Sequence, residues 1–219
     1  MAHSLESWNK LYAQGRRGKY PNEMLIRFIN SRFKEDRQQS KILDLGFGTG
    51  RHLVYLAEEG FLTYGIEYSA NGVEIAKEWL KQRKLKASLL AGSFTQLPFD
   101  DQEFDAVIDI ASMQHNIQED VKAIVAQVHR VLKPGGYFFS YYKNKYDSLF
   151  KESKKSEGGI LSVSGKAPKM DTFSVLTFMS AKEVSRLFSN FENVSIEKDE
   201  WTFEGMKKKV SHWVIIAQK

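Results

Sequence analysis

The chain has 219 residues, of which 42% are hydrophobic, and a formal net charge of +5 at pH 7. A chain of this length can bury one substantial core, so we expect a single domain over residues 1–219. Because the sequence contains no cysteine, disulfides, thiolate nucleophiles and cysteine-bound zinc or iron–sulfur sites are excluded. The small positive charge is typical of a solvated surface, and it makes nucleic acid an unexpected partner.

Targeting and metal-binding patterns are also missing from the sequence. No stretch approaches the roughly 18 apolar residues that span a bilayer, and the N-terminus lacks the apolar core of a signal peptide. The five histidines show no HExxH or other ligand spacing. We therefore expect a cytoplasmic protein with no metal site and no membrane partner.

Apolar residues alternate between helical and strand spacing along most of the chain. The first part predicts a helix over 21–33 with Pro21 in its first turn, a strand over 41–45, a helix over 51–60, a strand over 62–68, a helix capped by Ser69, and strands over 87–91 and 104–110. A helix carrying Val121 to Leu132 then ends in KPGG, and a strand follows over 137–142. Strands separated by helices predict an α/β fold, a mostly parallel sheet with helices on both faces.

The last third of the chain changes character. Residues 143–178 are too long for an ordinary connection, so this segment is interpreted as either mobile or a lid over a site. Ser180 and Glu183 then form a predicted capping box at the start of a helix. Strands over 191–200 and 209–218, joined around Gly205, predict an antiparallel hairpin at the sheet edge.

The stretch ILDLGFGTGRH, residues 42–52, places glycine at positions 46, 48 and 50 between a strand and a helix. Such a turn leaves backbone amides free to bind a ligand, and it also permits close packing of the helix on the strand. A dinucleotide fingerprint would need glycine or alanine where Arg51 stands. Asp44 would repel a pyrophosphate but suits a ligand with an ammonium group. The pattern therefore argues against NAD.

This motif and three others resemble those of the class I S-adenosylmethionine (SAM) dependent methyltransferases. The other motifs are YGIEYS, AGSFTQLPFDDQEFDAVID and RVLKPGGYFFS, in that family's order. The resemblance implies a Rossmann-like sheet of seven strands, six parallel and one antiparallel. It implies SAM as the methyl donor and S-adenosylhomocysteine as the product.

The resemblance also implies a set of cofactor-binding residues, and their chemistry agrees with it. Gly46, Phe47, Gly48 and Gly50 would lie against the methionine part of SAM, with Asp44 near its ammonium group. Glu67 can accept both ribose hydroxyls, and Tyr68 can pack on the adenine. The remaining predicted cofactor residues are Ser93 and Phe94 at the adenine turn, Ile110 after the fourth strand, and Tyr12. Many members of the family have aspartate at this position. Ser93 therefore replaces a charged contact to the adenine by a neutral one.

The acceptor side is predicted from the residues after the fourth strand. His115 is the candidate general base, since a histidine titrates near neutrality; the alternative is a histidine that satisfies a loop or caps the next helix. The sequence IASM lacks the (Asp/Asn)-Pro-Pro-aromatic motif of enzymes that methylate amines of nucleic-acid bases. Residues 1–34 are predicted to cover the cofactor and acceptor. Within this segment, Arg16, Arg17 and Lys19 favour an anionic acceptor.

The predicted function is methyl transfer from SAM to an oxygen or nitrogen of a small molecule. Two alternatives stay open at this point: a methyltransferase acting on RNA or protein, and a SAM-binding module without catalysis. An NAD oxidoreductase is opposed by Arg51 and by the lack of a substrate domain. The sequence does not define the acceptor or the oligomeric state.

Overall fold

The computed structural model describes residues 2–152, 154–155, 161–162 and 175–219. Its helices are α1 (Ala2–Ala13), α2 (Glu23–Arg32), α3 (Arg51–Glu58), α4 (Ala70–Gln82), α5 (Gln118–Val131), α6 (Ser148–Glu152) and α7 (Ala181–Leu187). Its strands are β1 (Lys41–Leu45), β2 (Leu62–Glu67), β3 (Ser88–Ala91), β4 (Phe104–Ile110), β5 (Leu132–Lys143), β6 (Lys154–Lys155), β7 (Leu161–Ser162), β8 (Val175–Leu176), β9 (Glu192–Phe203) and β10 (Lys208–Gln218). Short 3-10 turns form at Arg37–Gln39 and Met113–His115.

Seven strands form one sheet in the order β3-β2-β1-β4-β5-β10-β9. The pairs from β3 to β5 are parallel, whereas β10 is antiparallel to both β5 and β9. Six strands therefore run one way and β10 runs the other, which confirms the predicted fold class. The final hairpin is present as predicted, with β9 at the edge and β10 inside the sheet.

Apolar side chains cover both faces of this sheet. In β1, Leu43 belongs to the same buried cluster as Val125 of α5, and the adjacent Ile42 belongs to the cluster that includes Phe28 of α2. Successive residues of a strand point to opposite faces, so both must be apolar when helices lie on both sides. This explains why β1 and β4 read as continuous apolar runs.

Several element boundaries differ from the sequence predictions by a few residues, and two of these differences change the role of a motif. Helix α2 begins at Glu23, because the Asn22 side chain accepts hydrogen bonds from the Met24 and Leu25 amides and caps it there. Pro21 therefore precedes the helix and does not lie in its first turn. Helix α5 passes directly into β5 at Leu132, so KPGG forms the irregular start of a strand, with Gly135 at φ +77°.

Both ends of the 143–178 segment are attached to one residue after β4. The Gln114 side-chain oxygen accepts the Lys143 amide at 2.9 Å, and its backbone carbonyl accepts the Thr177 amide at 2.8 Å. The middle of the segment lies outside the described residues, so the lid remains a prediction. Among the helices that the structure describes, none is long and apolar enough to cross a membrane.

Candidate functional site

A cavity of about 490 Å³ lies at the carboxyl ends of β1, β2 and β4. This is the edge at which open α/β sheets bind ligands. The predicted site residues that line it are Tyr12, Gly46, Phe47, Gly48, Glu67, Tyr68, Ser93, Phe94, Ile110 and His115. Asp44 and Gly50 were predicted to contact the same ligand, but they lie outside the lining.

Two glycines of the turn have different surroundings: Gly48 faces the cavity, and Gly50 faces the protein interior. A Cβ atom on Gly48 would lie 2.9 Å from the Tyr12 hydroxyl, so this backbone faces the cavity beneath α1. A Cβ atom on Gly50 would lie 2.8 Å from the Cβ of Ala76 in α4. Gly50 also has φ +94°, a conformation that side chains disfavour. The packing of α3 against α4 therefore requires glycine at position 50, and its contact with a ligand stays a prediction.

Asp44 is a buried carboxylate without a hydrogen-bond partner among the described residues. Its Oδ2 lies 3.9 Å from the Nδ1 of His52, which lines the cavity. Burial raises the pKa of Asp44 well above its usual value, and it lowers the pKa of His52 well below. The histidine is therefore neutral and forms no ion pair. Such an unpaired buried carboxylate suits a cationic ligand nearby.

Glu67 at the end of β2 holds the glycine turn in place. Its Oε2 accepts the Gly48 amide at 2.8 Å, and its Oε1 accepts the Ser69 amide at 2.7 Å. Each carboxylate oxygen has a further lone pair, so the group can still accept hydroxyl donors from the cavity. The sequence predicted only that Glu67 accepts the ribose hydroxyls. No local pattern in the sequence indicates its hydrogen bonds from Gly48 and Ser69.

The turn after β3 supplies one apolar and one polar wall. The Phe94 ring lies 3.4 Å from the position of a Cβ on Gly46, directly beside the glycine turn. The Ser93 hydroxyl is already hydrogen-bonded to the Thr95 hydroxyl at 2.9 Å and accepts the Thr95 amide at 3.3 Å. Ser93 therefore shapes this turn in addition to lining the cavity.

Asp109 fixes the turn at the end of β4, a role that the sequence prediction missed. Its carboxylate accepts hydrogen bonds from both the amide and the hydroxyl of Ser112, from the Met113 amide, and from the Ser140 hydroxyl. Ala111, which lines the cavity, has φ +60°, an uncommon conformation for a residue with a side chain. The available signal was Asp109, the second of two aspartates in the otherwise apolar run FDAVIDI.

The wall opposite the glycine turn combines α1 with the turn after β4. Trp8 stacks on Tyr12 with ring centroids 5.7 Å apart, and it meets the His115 ring edge-on at 5.0 Å. The His115 Nδ1 lies 3.2 Å from the Val175 carbonyl oxygen. Burial lowers the pKa of His115 to about 4, with smaller effects from Arg16 and Lys143. His115 is therefore neutral, and if its Nδ1 donates to Val175, Nε2 is an acceptor.

Three arginines line the cavity, and for Arg51 no role there was predicted from the sequence. Its side chain packs against Gly18, where a Cβ atom would lie 2.7 Å from the Arg51 Cδ. Arg16 and Arg17 also line the cavity, and neither pairs with a carboxylate in the part of the chain that the structure describes. The same part of the chain holds no cluster of three or more metal-binding side chains.

Comparisons with known proteins agree with this geometry. The model of a family described as a methyltransferase domain matches residues 42–136. An uncharacterized methyltransferase of Synechocystis is 37% identical over 98 residues, which cover 45% of this chain and 44% of that protein. A demethylmenaquinone methyltransferase of Lactococcus lactis is 29% identical over 191 residues, which cover 81% of this chain and 74% of that protein. The matched region, residues 42–136, is therefore a methyltransferase domain.

The fold of this methyltransferase domain is also found in solved structures. A SAM-dependent methyltransferase of Methanosarcina mazei has a TM-score of 0.72 and 21% identity, with 91% of this chain and 98% of that chain covered. This likeness concerns the fold. The chain spans less than half the length of the Synechocystis relative.

The residues at the cavity fit the chemical groups of SAM. Its ammonium group suits Asp44, which has no hydrogen-bond partner among the described residues. Its ribose hydroxyls suit the spare lone pairs of Glu67. Its adenine suits the apolar surface of Phe94 and the neighbouring Tyr68, both in the cavity lining.

Replacing Asp44 by asparagine is expected to stabilise the ligand-free protein. The raised pKa means that folding disfavours the charged form, so the cost is present above the ordinary carboxyl pKa and vanishes below about pH 4. Removing the charge should raise the melting temperature at pH 8 by a few degrees, since about 1 kcal/mol shifts it by roughly 2–4 °C. Calorimetry at pH 8 and pH 4 measures this difference.

Asp109→Ala is the matched control for this experiment. Asp109 is equally buried but accepts four hydrogen bonds, so its removal should leave buried donors unpaired and cost at least ~2 kcal/mol. A lower melting temperature for Asp44→Asn at pH 8 would show that Asp44 has a stabilising partner.

SAM binding is expected to strengthen as the pH rises from the ordinary carboxyl pKa, about 4, toward neutrality. A cation next to Asp44 favours its ionised form, so binding releases a proton and is weakened at low pH. The α-amino group of SAM keeps its proton in this range. Titration calorimetry should show a smaller pH dependence for Asp44→Asn than for the wild type. Glu67 and Asp109 also have raised pKa values, so an identical dependence in both proteins would assign the proton to them.

Proposed function

We propose that this chain transfers a methyl group from SAM to an oxygen or nitrogen of a small-molecule acceptor. The main support is that one cavity joins the glycine turn and Glu67 to a second wall of Trp8, His115 and Arg16. SAM supplies a methyl group on a sulfonium sulfur, which is already activated toward nucleophiles. The protein therefore has to hold the acceptor in line with that carbon and exclude water.

In this proposal the glycine turn and its neighbours hold the cofactor. The Gly48 backbone lies along the methionine part, Glu67 accepts the ribose hydroxyls, and Phe94 contacts the adenine. Asp44 is too deeply buried to line the cavity, so its charge acts on the ammonium group through a water molecule or through His52. Its position behind the turn still makes the methionine end of the cavity favourable for a cation.

Helix α1 covers one side of the cavity. Its Trp8 and Tyr12 rings both line the cavity, and the Tyr12 hydroxyl stands over Gly48. A segment in this position must move aside for ligands to enter and must return before methyl transfer. We propose that residues 1–34 act as this cover.

His115 is proposed as the general base for acceptors that must lose a proton. It lines the cavity as a neutral imidazole, so the ring can accept a proton without first losing one. Its low pKa makes it a weak base, which suits an acceptor that becomes acidic as the bond to the methyl group forms. The competing role is structural, through the contact with Val175.

The unpaired arginines favour an acceptor that carries a negative charge. Arg16 and Arg17 line the same cavity, and Arg16 is close enough to His115 to affect its pKa. A guanidinium group binds carboxylates and phosphates with two parallel hydrogen bonds. The Lactococcus relative is named for a small-molecule acceptor, which supports this size of substrate for the present chain.

The test is transfer of tritiated methyl from SAM to a panel of small carboxylates, phosphates, phenols and amines, with RNA and protein extracts as further acceptors. We expect label in a small molecule, attached to oxygen or nitrogen. Gly48→Val is the control, since its side chain would meet the Tyr12 hydroxyl and block binding. Label in macromolecules, or on carbon, would overturn the acceptor assignment, and SAM binding without any turnover would support a binding module.

His115→Gln is expected to lower kcat by about 10²–10⁴-fold for an acceptor that must lose a proton. The dissociation constant of SAM should change little. Because the pKa of His115 is about 4, the wild-type rate should show no loss from this residue between pH 6 and 8. An acidic limb near pH 6.5 that disappears in the variant would show that the histidine titrates normally, and an unchanged kcat would leave His115 with a structural role.

A further inference from the structure

The β9–β10 hairpin extends beyond the strand that it packs against. Pairing between β10 and β5 ends at His212 and Lys143, whereas β10 continues to pair with β9 from Ser211 to Lys208. Because β10 is antiparallel, this end projects from the carboxyl edge of β5, where Asp147 and Ser148 bind its backbone amides. The cavity lies at the same edge of the sheet.

Large apolar side chains are exposed at this end of the hairpin. Trp201 is 54% exposed, Phe203 is 36% exposed, and Met206 in the turn is 82% exposed. Trp201 and Phe203 are two residues apart in β9, so they share a face, and their ring centroids lie 5.5 Å apart. Clustered exposed apolar residues of this size are characteristic of an interaction surface.

A basic groove lies on the other face of the hairpin, because its lining residues Glu200 and Thr202 alternate in β9 with Trp201 and Phe203, and it reaches the turn at Met206. It has a volume of about 360 Å³ and is lined by Ser148, Lys151, Glu200, Thr202, Met206, Lys207, Lys208 and Lys209. Its one carboxylate, Glu200, lies 3.3 Å from Lys209 and accepts the Ser211 hydroxyl at 2.9 Å. Lys151 and Lys207 have no carboxylate partner within the described ranges. Together the hairpin end and the groove present lysine charges beside an apolar tip.

We propose that the hairpin end docks on the surface of an anionic phospholipid bilayer. The lysines of the groove would face the lipid phosphates, and Trp201, Phe203 and Met206 would enter the boundary between headgroups and acyl chains. Tryptophan prefers this boundary, and lysines gain electrostatic attraction from anionic lipids. The surface suits a bilayer better than RNA, because Met206, the most exposed apolar side chain, offers no flat face on which a base can stack.

Sedimentation with phospholipid vesicles tests this proposal. We expect the full chain to bind vesicles of phosphatidylcholine with phosphatidylglycerol, to lose that binding in high salt, and not to bind phosphatidylcholine alone. Lys207→Gln with Lys208→Gln should weaken binding about 30-fold, the loss expected for two lysines at an anionic surface. Lys81→Gln with Lys86→Gln, both exposed near the opposite edge of the sheet, is the matched control and should bind as the wild type does.

Tryptophan fluorescence separates docking of the tip from adsorption of a basic protein. The emission of the wild type should shift to shorter wavelength on anionic vesicles, and Trp201→Phe should lose that shift. Each variant should keep the wild-type melting temperature and SAM affinity, because none of the substituted residues lines the cavity. Equal binding by the two lysine variants, an unchanged shift in Trp201→Phe, or binding to single-stranded RNA but not to vesicles would overturn the proposal. None of these outcomes depends on methyl transfer.

Discussion

The carboxylate of Glu67 joins the two structural elements from which the cofactor end of the cavity is built. It accepts the Gly48 amide from the turn after β1 and the Ser69 amide at the start of α4. Without such an acceptor, two backbone donors at the carboxyl edge of the sheet would have no partner in a largely buried place. The turn can therefore keep the left-handed conformation of Gly46, Gly48 and Gly50.

The same edge of the sheet concentrates buried negative charge. Asp44, Glu67 and Asp109 are all nearly inaccessible, and burial raises the pKa of each. Glu67 and Asp109 recover part of the desolvation cost through hydrogen bonds to neighbouring turns, whereas Asp44 does not. Asp44 thus lowers the stability of the folded protein. It does so at the position where a cationic ligand would gain most from an unpaired carboxylate.

The sequence alone predicted those features that depend on residues close together in the chain. The bounds of β1 and β4 and the capping box of Ser180 followed from apolar runs and from the spacing of two side chains. The bond from Gly48 to Glu67 and the contact of Trp8 with His115 join residues far apart in the chain, and no local pattern encodes them. Gly50 illustrates the same limit, because its neighbour in α4 decides its role.

The two ends of the cavity differ in how they are built. The cofactor end is formed by turns that directly follow neighbouring parallel strands, so the order of the sheet largely fixes its shape. The other end is assembled from α1, the turn at Met113–His115 and β8, which Gln114 and His115 attach to that turn. Changes in these attached segments can reshape the acceptor wall while Glu67 and the glycine turn stay in place. The chemistry of the donor and the choice of acceptor are therefore separable within one fold.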